Sequence, residues 1–269
     1  MSGHRPSGRC PGAFWAALTV LFWLAQGTAA DATGLQSEEI ARAVEIVDGD
    51  TLVLEDGRQV RLVGLQAPKL PLGRSGFEPW PLADEAKAVL AELALDQSFG
   101  LAYGGSRIDR HGRALAHLYR QDGLWIQGRL LELGMARVYS FADNRALVAE
   151  MLVLERQARA QRRGIWSNGF YAIRNALAVE EDIGTFQLVE GRVLAAAEVR
   201  GRIFLNFESD WRQDFTISLR RKVARRFRTG GLEPLDYEGR LIRVRGWLKE
   251  ENGPMVEVSH PEQIELLEE

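Results

Sequence analysis

The sequence predicts an α+β chain, mainly β, made of two small β-rich domains behind a leader. Three observations predict it. Short runs that alternate apolar and polar residues recur between Gly, Pro, Asn and Asp turn signals from Ala43 onward. Apolar residues at helical spacing are confined to a few segments. A chain of 269 residues is too long for one small barrel and comfortable for two domains.

The leader comes first. Arg5 and Arg9 precede a charge-free apolar run, residues 13–25, and small residues follow at Thr28-Ala29-Ala30. This pattern reads as a secretory signal over residues 1–30, cleaved after Ala30. The run is shorter than the ~20 residues a spanning helix needs, so a retained anchor is the lesser alternative. The expectation is an exported protein, periplasmic or extracellular, with no stable membrane span once the signal is removed. Cys10 is the only cysteine and lies in the leader, so the mature chain would use no disulfide. Losing two Arg and no acids takes the net charge from −3 to −5, which argues against a generally basic nucleic-acid binder. Any nucleic-acid site is then a local patch. Residues 156–163 (RQARAQRR) and 220–228 (RRKVARRFR) are candidates, and each reads equally as a solvated helix face.

The elements follow in order. Residues 31–40 read as polar linker. Strands are expected at 43–46, 52–54 and 59–65, with Asp56-Gly57 as the hairpin turn between the last two. Pro68, Pro71, Gly73, Gly76 and Pro79 mark a loop. Pro81 opens a helix with Asp84 and Glu85 in its first turn, where the helix dipole favours acids. Strands at 98–103 and 114–119 follow, then a short helix at 126–133 ended by Gly134, and an amphipathic helix at 146–163. Residues 168–184 read as a linker. In the second domain, residues 185–267, strands are expected at 187–194, 202–207, 214–219, 241–248 and 255–258, with a helix at 222–228. Five strands with a helix between the third and fourth suit a small OB-like Greek-key barrel; a small β-sandwich is the alternative.

Four segments carry the chemistry: Val47-Asp48-Gly49-Asp50-Thr51, Arg61-Leu62-Val63-Gly64-Leu65, Asp109-Arg110-His111-Gly112-Arg113 and Gly164-Ile165-Trp166-Ser167. Each alone is weak. Together, in this order, they resemble the staphylococcal-type thermonuclease family over residues 41–167. That resemblance implies a five-stranded OB-type barrel with three helices, and a Ca²⁺-dependent phosphodiesterase site on its surface that acts on DNA or RNA. It also implies roles. Arg61 and Arg113 match the family's phosphate-clamping arginines, a task suited to a permanently charged, forked donor. Asp50 matches the principal metal ligand, with Asp48 behind it. Arg110 and His111 lie where substrate contacts are expected, and Tyr139 and Phe141 lie near where the family places aromatics that stack on the base, with core packing as the alternative.

The chain departs from the family where an acid, a Thr, a Pro and a Glu should follow the Arg61 strand. It reads Gln66-Ala67-Pro68-Lys69. Gln66 offers a metal only an uncharged amide oxygen. Lys69 reverses the charge at the general-base position, and an ammonium has no lone pair to take a proton from water. A missing general base costs ~10²- to 10⁴-fold, and a lost carboxylate weakens Ca²⁺ binding. Two rescues suggest themselves: Glu78 in the same loop as base, or Lys69 replacing the cation and holding a phosphate.

In the second domain Trp211, Phe215 and Trp247, with the basic run at 220–228, are candidates for binding single strands; the plainer reading is barrel core plus a solvated helix. Three function classes stay open: an exported nuclease with reduced or lost activity, a non-catalytic nucleic-acid-binding protein, and a protein-interaction scaffold of the cell envelope.

Overall fold

A meander of three strands opens the fold: β1 (Gln36–Asp48), β2 (Thr51–Leu54) and β3 (Gln59–Leu62). After it come β4 (Leu65–Gln66), a loop, α1 (Ala83–Ala94), β5 (Ser98–Tyr103), β6 (Ala114–Arg120), α2 (Ile126–Glu132), β7 (Arg137–Val138) and α3 (Val148–Ala160). The structure is a computed structural model that describes Met1, residues 35–210 and residues 212–267. The rest of the expected leader, its cleavage point after Ala30, and Trp211 lie outside the described residues. Among the described residues no helix is long and apolar enough to cross a membrane.

The five strands β1-β2-β3-β6-β5 form a closed barrel, as the resemblance implies. Gly57 takes the left-handed φ of 84° that the Asp-Gly turn requires. Leu52, Leu54, Val60 and Leu62 point inward and are fully buried, so period-2 alternation becomes a barrel core. The link from β3 to β6 is the parallel one, with Arg61 opposite Leu115.

β1 corrects the sequence reading. Residues 36–40 are strand, not linker: Gln36 pairs with Tyr103, and the register runs on to Arg42 opposite Ser98. The later part of the same strand pairs with β2, from Ala43 opposite Leu54 to Asp48 opposite Thr51. One long strand thus serves two neighbours and closes the barrel. Gln36 and Ile40 in that stretch are exposed and Glu39 is only partly buried.

α1 begins at Ala83, after Leu82 in a left-handed conformation (φ 66°), rather than at Pro81. Gly134, φ 68°, follows α2 as expected. It lies so close to Arg163 and Gly164 that neither glycine has room for a Cβ, and its carbonyl accepts a hydrogen bond from Ile165 N at 2.8 Å. The Gly164-Ile165-Trp166-Ser167 segment is therefore a 3₁₀ turn pinned to the end of α2.

Beyond it lie β8 (Arg174–Asn175), β9 (Phe186–Arg192), β10 (Ala195–Val199), β11 (Arg202–Asn206), β12 (Thr216–Leu219), α4 (Arg221–Thr229), β13 (Leu241–Glu250), β14 (Pro254–Val258) and β15 (Ile264–Leu266). They form a curled sheet in the order β10-β11-β12-β14-β13-β9-β8, with β15 also on β13. The expected second small barrel takes the form of a half-barrel: among the described residues no pairing joins β10 to β8. The edges explain it. β10 is short, rich in alanine and largely exposed, and β8 has two residues. Ile203, Leu205, Ile217, Val256 and Phe227 fill the concave core and are fully buried.

The two faces of β13 do different work. Ile242, Val244 and Leu248 enter the core of the curled sheet. Arg245 and Trp247 point the other way, onto the barrel. The Arg245 guanidinium, 1% exposed, donates to Glu155 Oε2 (3.0 Å) and Oε1 (2.9 Å), to Glu265 Oε1 (2.6 Å) and to the Val138 carbonyl (3.2 Å). Glu155 also accepts from Val138 N at 2.6 Å and from Arg159 at 2.9 Å. A charged cluster this deep is tolerable only because its polar atoms are so heavily hydrogen-bonded. It holds the curled sheet in one orientation on α3 and β7.

Candidate functional site

The site begins with the turn between β1 and β2. Asp48 Oδ1 accepts from Asp50 N at 3.1 Å, a short side-chain-to-backbone loop that Asp favours. Gly49 packs against the barrel's own cover: a Cβ there would come within 2.7 Å of Ala67 Cβ and 2.8 Å of Ala86 Cβ. Only glycine fits, and the turn therefore aims Asp50 inward, where it is 0% exposed.

Both oxygens of Asp50 are held by cations. Arg61 Nη1, from β3, lies 2.7 Å from Oδ1. Lys69 Nζ, from the loop after β4, lies 2.8 Å from Oδ2, which also accepts from Ala67 N at 2.8 Å. Burial works to raise the Asp50 carboxyl, but the charges of Arg61 and Lys69 outweigh it and hold the pKa at about 2. Burial, aided by the charge of Asp50, pushes the neighbouring Asp48 carboxyl up. Burial lowers Lys69, and the Asp50 charge opposes that fall. Arg61 is further fixed by donating Nη2 to the Leu65 carbonyl at 2.9 Å.

A cleft of about 690 Å³ opens beside this cluster. Arg61 and Lys69 line it with Arg110, His111, Arg113 and Tyr139. Arg113 donates Nε to Asp109 Oδ2 at 2.8 Å, and the same carboxylate accepts from His111 N and Arg113 N, which sets the loop's shape. Arg110 and His111 are exposed and hydrogen-bond each other, Nε to Nε2, at 3.1 Å. The structure thus brings together Asp48, Asp50, Arg61 and Lys69, and places Arg110, His111, Arg113 and Tyr139 around one opening.

Gln66 stands apart. Its amide oxygen accepts two hydrogen bonds from the buried Arg137, at 3.1 and 2.8 Å. Glu78 is exposed on its loop and outside the cleft lining. Phe215 is core, packed on Phe207 at 5.0 Å between ring centroids. In the basic run, Ala224 and Phe227 are buried, Arg220 pairs with Glu257, and Arg228 pairs with Glu198 and Glu233.

The residues present do not fit a calcium ion. Such an ion takes six to eight oxygen ligands. Here Asp50 is engaged by two cations, Gln66 by Arg137, and the Lys69 ammonium lies where a positive charge would meet the carboxylate. Among the described residues no group of three or more His, Cys, Asp or Glu side chains could hold a metal. Asp50 is shared between Arg61 and Lys69, and Arg110 and Arg113 line the same opening, which suits the cleft to an anion.

Sequence reasoning missed Arg137 and Phe186, and did not foresee that Trp247 would join Tyr139 and Phe141 on one wall of the cleft. Trp247 reaches the cleft from β13 and donates Nε1–H to Tyr139 Oη at 2.9 Å. Phe186, opposite it in β9, packs edge-on to Tyr139 (4.8 Å between ring centroids) and lies over the Arg137 guanidinium at 4.7 Å. The alternation around Trp247 signalled an outward side chain, but nothing local indicated what it would face.

Comparison with known proteins adds a lineage. Residues 59–168 match the family model described as staphylococcal nuclease homologue. The chain is 26% identical over 135 residues to a thermonuclease of Staphylococcus hyicus, covering 49% of this chain and 78% of that protein. It is 29% identical over 130 residues to an uncharacterized endonuclease of Escherichia coli O157:H7, covering 47% and 76%. To Protein ParB of Escherichia coli it is 32% identical over 136 residues, covering 46% and 71%.

Proposed function

Because the chain belongs to the staphylococcal nuclease homologue family, we propose that its barrel cleft holds the phosphodiester backbone of DNA or RNA, with calcium-dependent hydrolysis reduced or lost. The supporting observation is the Asp50 carboxylate clamped between Arg61 and Lys69 at 2.7 and 2.8 Å. Lys69 takes the place of the metal as counter-charge, so a phosphate can be held without calcium. Arg113 keeps further N–H donors beyond the two groups it gives to Asp109, and Arg110 adds an exposed cation. What is weak is water activation. Lys69, ion-paired to Asp50, is an ammonium and takes no proton, and Glu78 does not line the cleft. Export belongs to the same reading, supported by the charge-free apolar run at 13–25 and the small residues before Asp31. So does a division into a thermonuclease-like part, 41–167, and an appended part, 185–267.

The test compares binding and hydrolysis of single-stranded DNA and RNA by residues 31–269, with Ca²⁺ and with EDTA. Variants are Arg113→Ala, Lys69→Ala and the double Gln66→Asp/Lys69→Glu. Expected are binding in EDTA that weakens in both alanine variants, and calcium-dependent cleavage gained only in the double variant. Calcium-dependent cleavage by the natural chain, lost in Arg113→Ala, would instead make it a working nuclease with another base.

A further inference from the structure

We propose that Trp247 of the curled sheet is a stacking platform for an unpaired nucleobase, which makes the cleft selective for single strands. This rests on the phosphate-holding role of the cleft and extends it to the second half of the chain. Trp247 is 51% exposed although it sits in the middle of β13, flanked by fully or almost fully buried residues. Its position is fixed rather than floppy. Gly246 beneath it packs where a Cβ would come within 2.5 Å of Val256 Cγ1, which presses the strand down on β14. The indole N–H is tied to Tyr139 Oη, and Phe186 meets the ring nearly edge-on at 6.4 Å and 74°. Its polar edge is satisfied and one flank is packed, leaving aromatic surface open to the cleft.

Phe141, 52% exposed, stands on the far side of Tyr139, edge-on at 5.0 Å and 87°. Both exposed rings touch the half-buried Tyr139 and line the same opening as Lys69, Arg110 and Arg113. An anionic backbone along the cations would bring its bases to these rings. A base in a duplex is stacked on its neighbours and cannot offer its face, so the platform discriminates by strand state, not by sequence.

The experiment measures binding, in EDTA and at fixed salt, of one oligonucleotide in three forms: single-stranded, single-stranded but abasic, and blunt duplex. The proteins are the natural chain, Trp247→Ala, Trp247→Phe and Arg113→Ala, each checked by thermal melting. Expected is a single-strand affinity that falls about 5- to 150-fold in Trp247→Ala, the range for one lost stacked base. Abasic and duplex affinities stay put, and Trp247→Phe keeps most of the preference because it keeps a ring without the N–H. Two results overturn the proposal: an equal loss on all three forms in Trp247→Ala, or no loss on the single strand. In either case, weakening on all forms by Arg113→Ala leaves the phosphate-holding role standing. If the natural chain binds none of the three, both readings fall.

Discussion

Arg245 is the residue whose removal should cost the fold most. Its guanidinium is buried and gives hydrogen bonds to Glu155, Glu265 and the Val138 carbonyl. Arg245→Met keeps much of the stem volume and removes the charge. Two carboxylates then face each other across the junction with less to neutralise them. Arg159 stays on Glu155 at 2.9 Å, but the next cations to Glu265 are Arg156 at 3.4 Å, Arg159 at 3.8 Å and Arg243 at 3.9 Å. Breaking a buried pair by removing one partner costs about 3–5 kcal/mol. For a chain of this size each kcal/mol moves Tm by about 2–4 °C, so the drop should be about 6–20 °C. Calorimetry of residues 31–269 measures it. Because the junction holds barrel and curled sheet together, the single transition should also broaden or split. A drop below about 4 °C with one sharp transition would refute the reasoning, since the cluster would then contribute little either to stability or to coupling.

Further expectations are smaller in scope. Burial lowers His117 and His260 to about 4, so both are neutral in the fold and must charge on unfolding below about 6.5. Their contribution is complete above pH 6.5 and is lost as the pH falls toward 4, by the order of 3 kcal/mol each; a pH series of melting curves should show it, with His260→Gln blunting the slope. Asp50→Asn leaves Arg61 and Lys69 facing each other without their shared carboxylate and should cost about 3 kcal/mol by denaturant titration, while strengthening phosphate binding at low salt. Single-strand affinity should fall with salt with a log–log slope of about −2 if Lys69, Arg110 and Arg113 each neutralise one phosphate, and Lys69→Ala should make it shallower by about 0.7. Gly134→Ala combines a left-handed backbone with contact against Arg163, and should destabilise by more than the ~1 kcal/mol of backbone strain alone, read from the same melting curves.

What was legible in the sequence was local. The Asp56-Gly57 hairpin, the acids opening α1, and Gly134 after α2 each depend on residues a few positions apart, and each is where it was expected. The first half of β1 was illegible because its sequence opens on Gln36-Ser37-Glu38-Glu39, with no apolar alternation to read. β10 was missed for a related reason: its alanines carry little β signal, and the strand is largely exposed. At the site, the anomaly of Lys69 was visible in the sequence, as was its option of replacing a cation. That Gln66 turns to Arg137 was not, because 71 residues separate them. Trp247 could be read as outward-facing, but its neighbour Tyr139 is 108 residues away, beyond the reach of any local pattern.

The junction also sets an order of events for a chain that folds from its N-terminus. Glu155 lies in α3, part of the barrel half, but its buried counter-charge arrives 90 residues later. At about 5–20 residues per second of synthesis that delay is roughly 5–20 s. Over that interval the first half can close its barrel around Leu52 and Leu62 while the Glu155 surface stays wet and incompletely neutralised. The half-made chain therefore carries a built-in reason not to dry out that face. It keeps it open for β13 rather than for another molecule, and the arrival of Arg245 seals it.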